Sequence, residues 1–220
     1  MIFAKYLIAV LWAAFLFLQV PAALAEEGFS ASVAQCIDGD TFALDTDQRV
    51  RLAGVDTPEK RPEPQYYAKE AADFTCSQVR GKQIRVIPLS TGAKGKDRYQ
   101  RLVAEVRLPD GASLNELLLR QGMASFYAHK ELPAPLVKRL SAAQREALDK
   151  RAGCWAFVLT QPQAKEPYVG NPGSKRFFSE PCLKKVPTPP RRQVRFENLE
   201  AAFRAGYAPV RACAIWPAAK

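Results

Sequence analysis

The stretch that decides the fold runs from Phe29 to Asp56 and reads FSASVAQCIDGDTFALDTDQRVRLAGVD. Phe42 and Leu44 alternate with small or polar neighbours, which is typical of a β-strand with one buried face. The polar residues 45–48 predict a tight turn, and the alternation resumes beyond it at Val50. The pattern therefore predicts strand, turn, strand, turn, strand over residues 29–56.

Downstream of this meander, the spacing of apolar residues predicts the remaining elements. They are a helix that ends at Gly81, strands at 83–89 and 102–108, and helices at 114–121 and about 136–150. Five strands with few crossover helices fit a small closed barrel better than a parallel sheet. We predict an α+β fold, a five-stranded barrel with about three helices, followed by a small basic C-terminal extension.

The first 25 residues have the pattern of a secretory signal peptide. One charge, Lys5, precedes an apolar run from Tyr6 to Val20, and Ala23 and Ala25 match a signal-peptidase site. An uncleaved N-terminal anchor is the alternative, although the run is short for a spanning helix. No later stretch is apolar for long enough to cross a membrane. We expect a secreted or periplasmic monomer, cleaved after Ala25, that needs no obligate protein partner.

Composition divides the rest of the chain. The whole sequence has a net charge of +10, and residues 156–220 carry 11 Lys and Arg against 4 Glu. Residues 158–174 are rich in Pro, Gly and Gln, as linkers often are. We expect one domain at 26–157, a linker at 158–174 and a small basic module at 175–220. The positive charge fits binding to nucleic acid, binding to an anionic cell envelope, or solubility alone, and composition does not choose among them.

Five cysteines follow the expected cleavage site: Cys36, Cys76, Cys154, Cys182 and Cys213. An oxidising compartment favours disulfides, and an odd number leaves at least one thiol unpaired in a monomer. The spacing of the cysteines does not reveal how they pair.

Two aspartates are expected to meet at one end of a hairpin. The Asp-Gly pair before Asp40 could be no more than a tight turn. However, the turn at 45–48 folds the third strand back along the second, which brings Asp56 to the same end as Asp40. Hard carboxylate oxygens, with a backbone carbonyl nearby, suit calcium rather than a soft metal. The two motifs contain neither the cysteine nor the histidine that zinc favours.

Hydrolysis of a phosphodiester needs a metal to draw charge from a phosphoryl oxygen, a base to prepare water, and cations to stabilise the transition state. Glu59 is a candidate base, since it lies three residues after Asp56 and follows the stiff Pro58. Arg51 and Arg101 are candidate cations because a guanidinium offers a fixed fork of donors and stays charged. Taken alone, Arg51 could equally be an ordinary exposed strand arginine.

Four ordered motifs connect these candidate residues. They are Ile37-Asp38-Gly39-Asp40-Thr41, Arg51-Leu52 through Val55-Asp56-Thr57-Pro58-Glu59, Asp97-Arg98-Tyr99-Gln100-Arg101, and Asn115-Glu116 through Leu119-Arg120-Gln121-Gly122. Together they resemble the thermonuclease family, the staphylococcal-nuclease-like proteins, over about residues 30–156. The resemblance implies an OB-fold barrel, one calcium ion, and endonucleolytic cleavage of DNA and RNA that leaves 3'-phosphates.

The resemblance also implies roles for individual residues. Asp40, Asp56 and the Thr57 carbonyl would bind calcium, and Glu59 would act on the attacking water. Arg51 and Arg101 would bind the phosphate. Asp97, Tyr99 and Tyr127 would contact the nucleotides. Gln100 departs from the family pattern, which usually has glycine there, and this departure bears on the placement of Arg101.

Cys182 and Cys213 lie in a tail that looks like the small cysteine and histidine module following some exported thermonuclease-like domains. That module would normally bring another cysteine and a histidine to complete a zinc-type set. Phe178 and Glu197 stand in those places here. We therefore expect a Cys182–Cys213 disulfide rather than a zinc site.

The sequence predicts an exported, calcium-dependent endonuclease. The alternative is a protein that keeps the barrel and binds nucleic acid or an envelope polymer without cutting it. That alternative requires a damaged catalytic set, yet the whole set is present: Asp40, Arg51, Asp56, Glu59 and Arg101.

Overall fold

The computed structural model describes residues 28–89, 95–161, 167–213 and 216–218, so the expected signal peptide at 1–25 lies outside the described residues. The strands are β1 (Phe29–Cys36), β2 (Thr41–Leu44), β3 (Arg49–Leu52), β4 (Val55–Asp56), β5 (Gln83–Pro88), β6 (Leu102–Arg107), β7 (Ser125–Phe126), β8 (Tyr168–Asn171), β9 (Arg176–Ser179), β10 (Val194–Phe196) and β11 (Ala208–Pro209). The α-helices are α1 (Ala68–Val79), α2 (Leu114–Arg120), α3 (Ala134–Asp149), α4 (Trp155–Val158) and α5 (Leu199–Arg204), and short 3-10 helices span Glu180–Lys184 and Pro190–Arg192. Within these ranges no helix is both long and apolar enough to cross a bilayer.

Five strands close into a barrel in the order β1-β2-β3-β6-β5. Neighbouring strands are antiparallel except β3 and β6, which run parallel with Val50 beside Leu102. Phe42, Leu44 and Val50 are fully buried inside, as expected for strands with one face toward a core. The predicted fold class, an α+β five-stranded barrel, is confirmed.

The third predicted strand is divided into two by a turn at Gly54. β3 ends at Leu52 in the barrel, whereas β4 leaves the barrel and pairs with β7, so that Asp56 lies opposite Ser125. Gly54 has a φ of 68°, and a Cβ there would lie 2.4 Å from Leu140 Cδ1. The turn therefore needs a residue without a side chain. It directs Asp56 out of the barrel wall.

Asn115, fully buried in α2, holds the backbone just before this turn. Its Nδ2 donates to the Ala53 carbonyl at 2.8 Å, and its Oδ1 accepts from Val106 N at 3.0 Å. A buried amide is stable where it makes such bonds. The side chain thus connects the helix to the end of β3 and to β6.

The C-terminal residues form a second sheet in the order β10-β8-β9-β11. Strand β8, Tyr168–Asn171, lies inside the stretch 158–174 that composition predicted to be a linker. The C-terminal sheet therefore begins before residue 175, where the composition placed the start of the basic module. A strand of four residues flanked by Pro and Gly is hidden from a composition argument, because its pairing with β9 and β10 comes from distant parts of the chain.

The C-terminal module, defined here as residues 167–213 and 216–218, shares a core with the barrel domain. Trp155, Phe177 and Phe203 are buried in one cluster, with the ring centroids of Trp155 and Phe203 4.7 Å apart. Gln144 in α3 donates from Nε2 to the Phe203 carbonyl at 2.7 Å and accepts at Oε1 from Phe126 N at 2.6 Å. Packing against the barrel domain supplies the core that the module's own short sequence lacks.

Two disulfides link Cys36 to Cys76 and Cys182 to Cys213. The first joins the end of β1 to α1. The second is the pairing expected from the resemblance of the tail, and it joins the 3-10 helix at Glu180–Lys184 to the segment that follows β11. Cys154 is a buried free thiol.

Candidate active site

Arg51 connects the two aspartates at the end of β3. Its Nη2 lies 3.0 Å from Asp40 Oδ2 and 3.0 Å from Asp56 Oδ1, and these three side chains are only 12%, 10% and 13% exposed. Nη1 donates to the carbonyls of Leu52 and Val55, which fixes the guanidinium against the backbone. The structure therefore brings Asp40 and Asp56 together, and it places Arg51 between them rather than on the open surface.

Asp40 is held against the segment that carries Thr57. Its Oδ2 accepts from Thr57 N at 3.2 Å, and its Oδ1 accepts from Thr41 Oγ1 at 2.9 Å. Gly39 permits this approach, because a Cβ there would lie 2.8 Å from the Thr57 side chain. The Asp-Gly pair is thus part of a close contact between two segments as well as a turn.

Several carboxylates are crowded at this end of the barrel. Burial raises the pKa of Asp38, Asp56 and Glu59, and the charge of Asp40 raises all three further. Arg51 opposes the shift at Asp56. When these groups are ionised, their mutual repulsion and desolvation favour the binding of a cation among them.

The donors present fit a hard divalent cation. Asp40 and Asp56 share one guanidinium nitrogen, and Thr57 belongs to the same small region. Over the described ranges, no group of three or more His, Cys, Asp and Glu side chains is arranged for a metal ion. A site here would therefore use two carboxylates together with backbone and water oxygens, a mixture that calcium accepts.

Glu59 lies beside the aspartates on the segment after β4. Its backbone N donates to Gln65 Oε1 at 2.7 Å, and Gln65 N donates to the Glu59 carbonyl at 2.9 Å, so the loop is closed on itself. The side chain is 34% exposed. Because burial raises its pKa, Glu59 accepts a proton more readily than a free glutamate does.

Arg101 reaches the same cluster from the residues just before β6. Its Nε and Nη2 lie 2.9 Å and 2.7 Å from Asp97 Oδ2. Its Nη1 donates to Thr41 Oγ1 at 3.4 Å, and Thr41 in turn donates to Asp40. Asp97, expected beside the nucleotides, is engaged with Arg101 in this structure.

Gln100 takes the conformation that a glycine would favour. Its φ is 61°, in the left-handed region that costs energy for a residue with a side chain. Gln100 N donates to the Asp97 carbonyl at 2.9 Å, and Gln48 Nε2 donates to the Gln100 carbonyl at 3.2 Å. The departure from the family pattern therefore puts a residue with a side chain in a strained backbone conformation, within a loop held by these two hydrogen bonds.

The two tyrosines expected near the nucleotides have different surroundings. Tyr99 is 61% exposed, with the guanidinium carbons of Arg98 and Arg101 4.8 Å and 5.2 Å from its ring centroid. Tyr127 is partly buried, and the guanidinium of Arg176 from the C-terminal module lies 3.3 Å from its ring centroid. An exposed ring among arginines, as at Tyr99, suits stacking with a base.

Arg211 is a residue of this site that the sequence analysis missed. It belongs to the C-terminal module, yet its Nη2 lies 2.9 Å from Asp56 Oδ1 and 2.7 Å from Glu59 Oε1. A cleft of about 610 Å³ runs between parts of 56–65 and 209–218, and all three residues line it. The signal available in the sequence was the basic charge of the module, which does not indicate which arginine faces the barrel domain.

Comparison with known proteins places the barrel in one family. The family model for staphylococcal nuclease homologues matches residues 49–157. A thermonuclease from Staphylococcus intermedius is 38% identical over 136 residues, which is 58% of this chain and 77% of that protein. A thermonuclease from Staphylococcus hyicus is 36% identical over 132 residues, 56% of this chain and 74% of that protein. An uncharacterized endonuclease from Escherichia coli O157:H7 is 32% identical over 127 residues, 56% of this chain and 75% of that protein.

The chain belongs to the staphylococcal nuclease homologue family, as its motifs predicted. It is accordingly a nuclease, a metal-dependent hydrolase of phosphodiester bonds that acts on nucleic acid. The residues matched by the family model end at 157, before β8 of the C-terminal module.

Proposed function

We propose that this nuclease is an exported, calcium-dependent endonuclease that cleaves both DNA and RNA. The observation that carries the proposal is the ion pairing of Arg51 with both Asp40 and Asp56, next to Glu59. It gathers two carboxylates that could bind a metal, a candidate base and a guanidinium in one partly buried region. The proposed roles are metal binding by Asp40, Asp56 and the Thr57 carbonyl, activation of water by Glu59, phosphate binding by Arg51 and Arg101, and nucleotide contacts by Asp97, Tyr99 and Tyr127.

Calcium is the proposed metal because the candidate ligands are hard oxygens and include backbone. Bound there, a calcium ion would draw charge from a phosphoryl oxygen of the substrate. The aspartates are little exposed, so electrostatic interactions in the site are screened less than at an open surface.

Glu59 is proposed to take a proton from the attacking water as the new bond to phosphorus forms. A carboxylate is an effective base when its pKa is closer to the working pH, and burial shifts Glu59 in that direction. The bond from phosphorus to the 5' oxygen breaks in the same reaction, the departing oxygen takes a proton from solvent to become a 5'-hydroxyl, and the other product keeps a 3'-phosphate.

Arg51 and Arg101 are proposed to donate to the non-bridging phosphate oxygens. Arg101 is held in position by Asp97 before any substrate binds. A cation that is already oriented stabilises developing negative charge without first losing rotational freedom.

Export is supported by the N-terminal pattern and by the two disulfides, which persist in oxidising compartments. We propose a secreted or periplasmic monomer without an obligate protein partner.

The proposal is tested by incubating the purified protein with linear DNA, supercoiled DNA and single-stranded RNA, first with calcium and then with a chelator. We expect cleavage of all three in calcium, none with the chelator, and 3'-phosphate ends. Glu59→Gln and Arg101→Ala should each lower kcat by at least ~100-fold.

Matched controls separate these roles from a general loss of charge. Glu63→Gln changes an exposed glutamate that lines the same cleft, and Arg49→Ala changes the exposed arginine two residues before Arg51. Both should keep near-normal turnover. Intact cleavage by Glu59→Gln and Arg101→Ala would refute the assigned roles. A protein that shifts DNA on a gel without cutting it in calcium would point instead to the non-catalytic binding protein.

A further inference from the structure

The residues before and after Arg211 in the chain are fixed in place by hydrogen bonds and a disulfide. Before it, Val210 N donates to the Phe177 carbonyl at 2.9 Å, continuing the pairing of β11 with β9. After it, Cys213 is bonded to Cys182. Further along, Trp216 Nε1 donates to the Tyr66 carbonyl at 2.8 Å. The segment therefore presents its arginine to the barrel domain at a defined place.

The side chain of Arg211 remains able to change partners. It is 64% exposed, and both of its ion pairs use the same nitrogen, Nη2. A guanidinium has five N–H donors, so one nitrogen serving two carboxylates leaves capacity for another acceptor. Arg51 differs in this respect, since it is 12% exposed and also bonded to backbone carbonyls.

The partners of Arg211 are the groups that the proposed function assigns to the metal and to the water. When a divalent cation binds at Asp56, it repels a guanidinium on the same carboxylate. The anion then available to Arg211 is a phosphate of nucleic acid lying in the cleft that Arg211 itself lines. Guanidinium and phosphate match in geometry and in charge.

We propose that Arg211 is a third arginine of the active site, supplied by the C-terminal module, that pairs with Asp56 and Glu59 in the ligand-free protein and donates to a substrate phosphate once a divalent cation occupies the carboxylates. The inference rests on the proposed function, because it uses the roles assigned to Asp56 and Glu59. It makes the module part of the substrate-binding surface.

The test compares Arg211→Ala and Arg211→Lys with Arg192→Ala. Arg192 is an exposed arginine of the same module that does not line the cleft, so its removal changes the net charge equally. Thermal unfolding establishes that the variants fold. In saturating calcium, Arg211→Ala should raise KM for DNA ~10- to 100-fold with a smaller change in kcat, because a hydrogen bond to a charged group is lost. Arg211→Lys should recover only part of that loss, since lysine lacks the fork.

Two further measurements do not depend on turnover. Binding of a labelled single-stranded oligonucleotide in calcium, measured in an Arg101→Ala background over a range of salt concentrations, should lose about 0.7 of its log-log salt slope with Arg211→Ala. Calcium titration without nucleic acid should give tighter binding in Arg211→Ala than in the wild type, because a competing cation is gone. Arg192→Ala should change neither quantity appreciably.

Three results would overturn the inference. The first is Arg211→Ala behaving like Arg192→Ala in every assay, which would make the contact a surface ion pair. The second is faster cleavage by Arg211→Ala at low calcium with an unchanged salt slope, which would mean that Arg211 competes with the metal ion but does not contact phosphate. The third is unchanged calcium affinity, which would exclude the exchange of partners. A wild-type protein that fails to cleave in calcium would refute the proposed function, whereas the oligonucleotide titration would still decide whether Arg211 contacts phosphate.

Discussion

Asp97 holds Arg101 with both oxygens of its carboxylate. Oδ2 accepts from Nε of the guanidinium at 2.9 Å, and Oδ1 accepts from Arg101 N at 3.0 Å. Burial opposes ionisation of Asp97, but the hydrogen bonds from Arg101 and Tyr99 outweigh burial and lower its pKa. The carboxylate is therefore ionised at neutral pH, and it sets the direction of Arg101 from within the same short loop.

Replacing Asp97 with Asn should lower kcat/KM about 10- to 100-fold, because Arg101 loses a charged partner and samples other directions. Steady-state cleavage in saturating calcium measures the effect. Asp110→Asn is the control, since Asp110 holds only an exposed turn through Ala112 N. Equal activity of the two variants would show that Asp97 does not position Arg101.

Gln100→Gly should stabilise the protein by about 0.5–1 kcal/mol, because glycine removes the cost of the left-handed conformation at φ 61°. The greater freedom of glycine in the unfolded chain offsets part of the gain. Gln100→Val should be destabilising, since a β-branched residue is the least suited to this region. Urea unfolding at neutral pH compares the three proteins, and a loss of stability in the glycine variant would contradict the strain.

The activity should fall on acidification at a pH above the ordinary range of a glutamate. The pKa of Glu59 is raised from 4.5, mainly by burial and further by Asp40, Asp56 and Asp38, although Arg211 opposes the shift. A base with a raised pKa loses its unprotonated form earlier as the pH falls. The pH profile of kcat/KM below saturating calcium measures this fall in activity, because it reports the metal-free protein, whereas a bound cation lowers the pKa of a carboxylate beside it.

The same raised pKa values predict the sign of a stability effect. Asp38, Asp56 and Glu59 bind protons more tightly in the folded protein than in the unfolded chain. Their contribution therefore makes the metal-free protein more stable as the pH falls from neutral toward their folded-state pKa values. Bound calcium should neutralise the same carboxylates at neutral pH. The calcium-loaded protein should therefore lack this gain in stability on acidification. Unfolding of the metal-free protein at pH 5.5 and 7, with Glu59→Gln as comparison, tests the sign, and the comparison variant should show a smaller pH effect.

Gly54→Ala should cost more stability than Gly111→Ala, although both glycines have positive φ. The Cβ at Gly54 would lie 2.4 Å from Leu140, whereas nothing lies within 4 Å of one at Gly111. The shared backbone cost is ~1 kcal/mol, and overpacking adds about 1–3 kcal/mol at Gly54. Activity should fall only in Gly54→Ala, because its turn leads into the strand that carries Asp56. Equal losses of stability would contradict the close contact.

Much of the barrel could be predicted because its signals are local. Alternation around Phe42 and Leu44 indicates a strand wherever the rest of the chain lies, and Ser113 caps α2 by accepting from Glu116 N at 3.4 Å. The turn that divides β3 from β4 escaped prediction, since Gly54 continues the alternating pattern. Strand β8 escaped because only pairing with distant segments makes it a strand.

The sequence by itself determined the family, the five-stranded barrel and the set of acidic and basic groups available for phosphodiester chemistry. These follow from short motifs and from periodicity, which act over a few neighbouring residues. Only the tertiary structure decided that Arg51 joins Asp40 to Asp56, that Arg101 reaches Asp40 through Thr41, and that Arg211 enters the site from the C-terminal module. Contacts between residues as far apart as Asp56 and Arg211 depend on how the barrel and the module pack, because no local pattern in the chain specifies which exposed arginine ends beside which carboxylate.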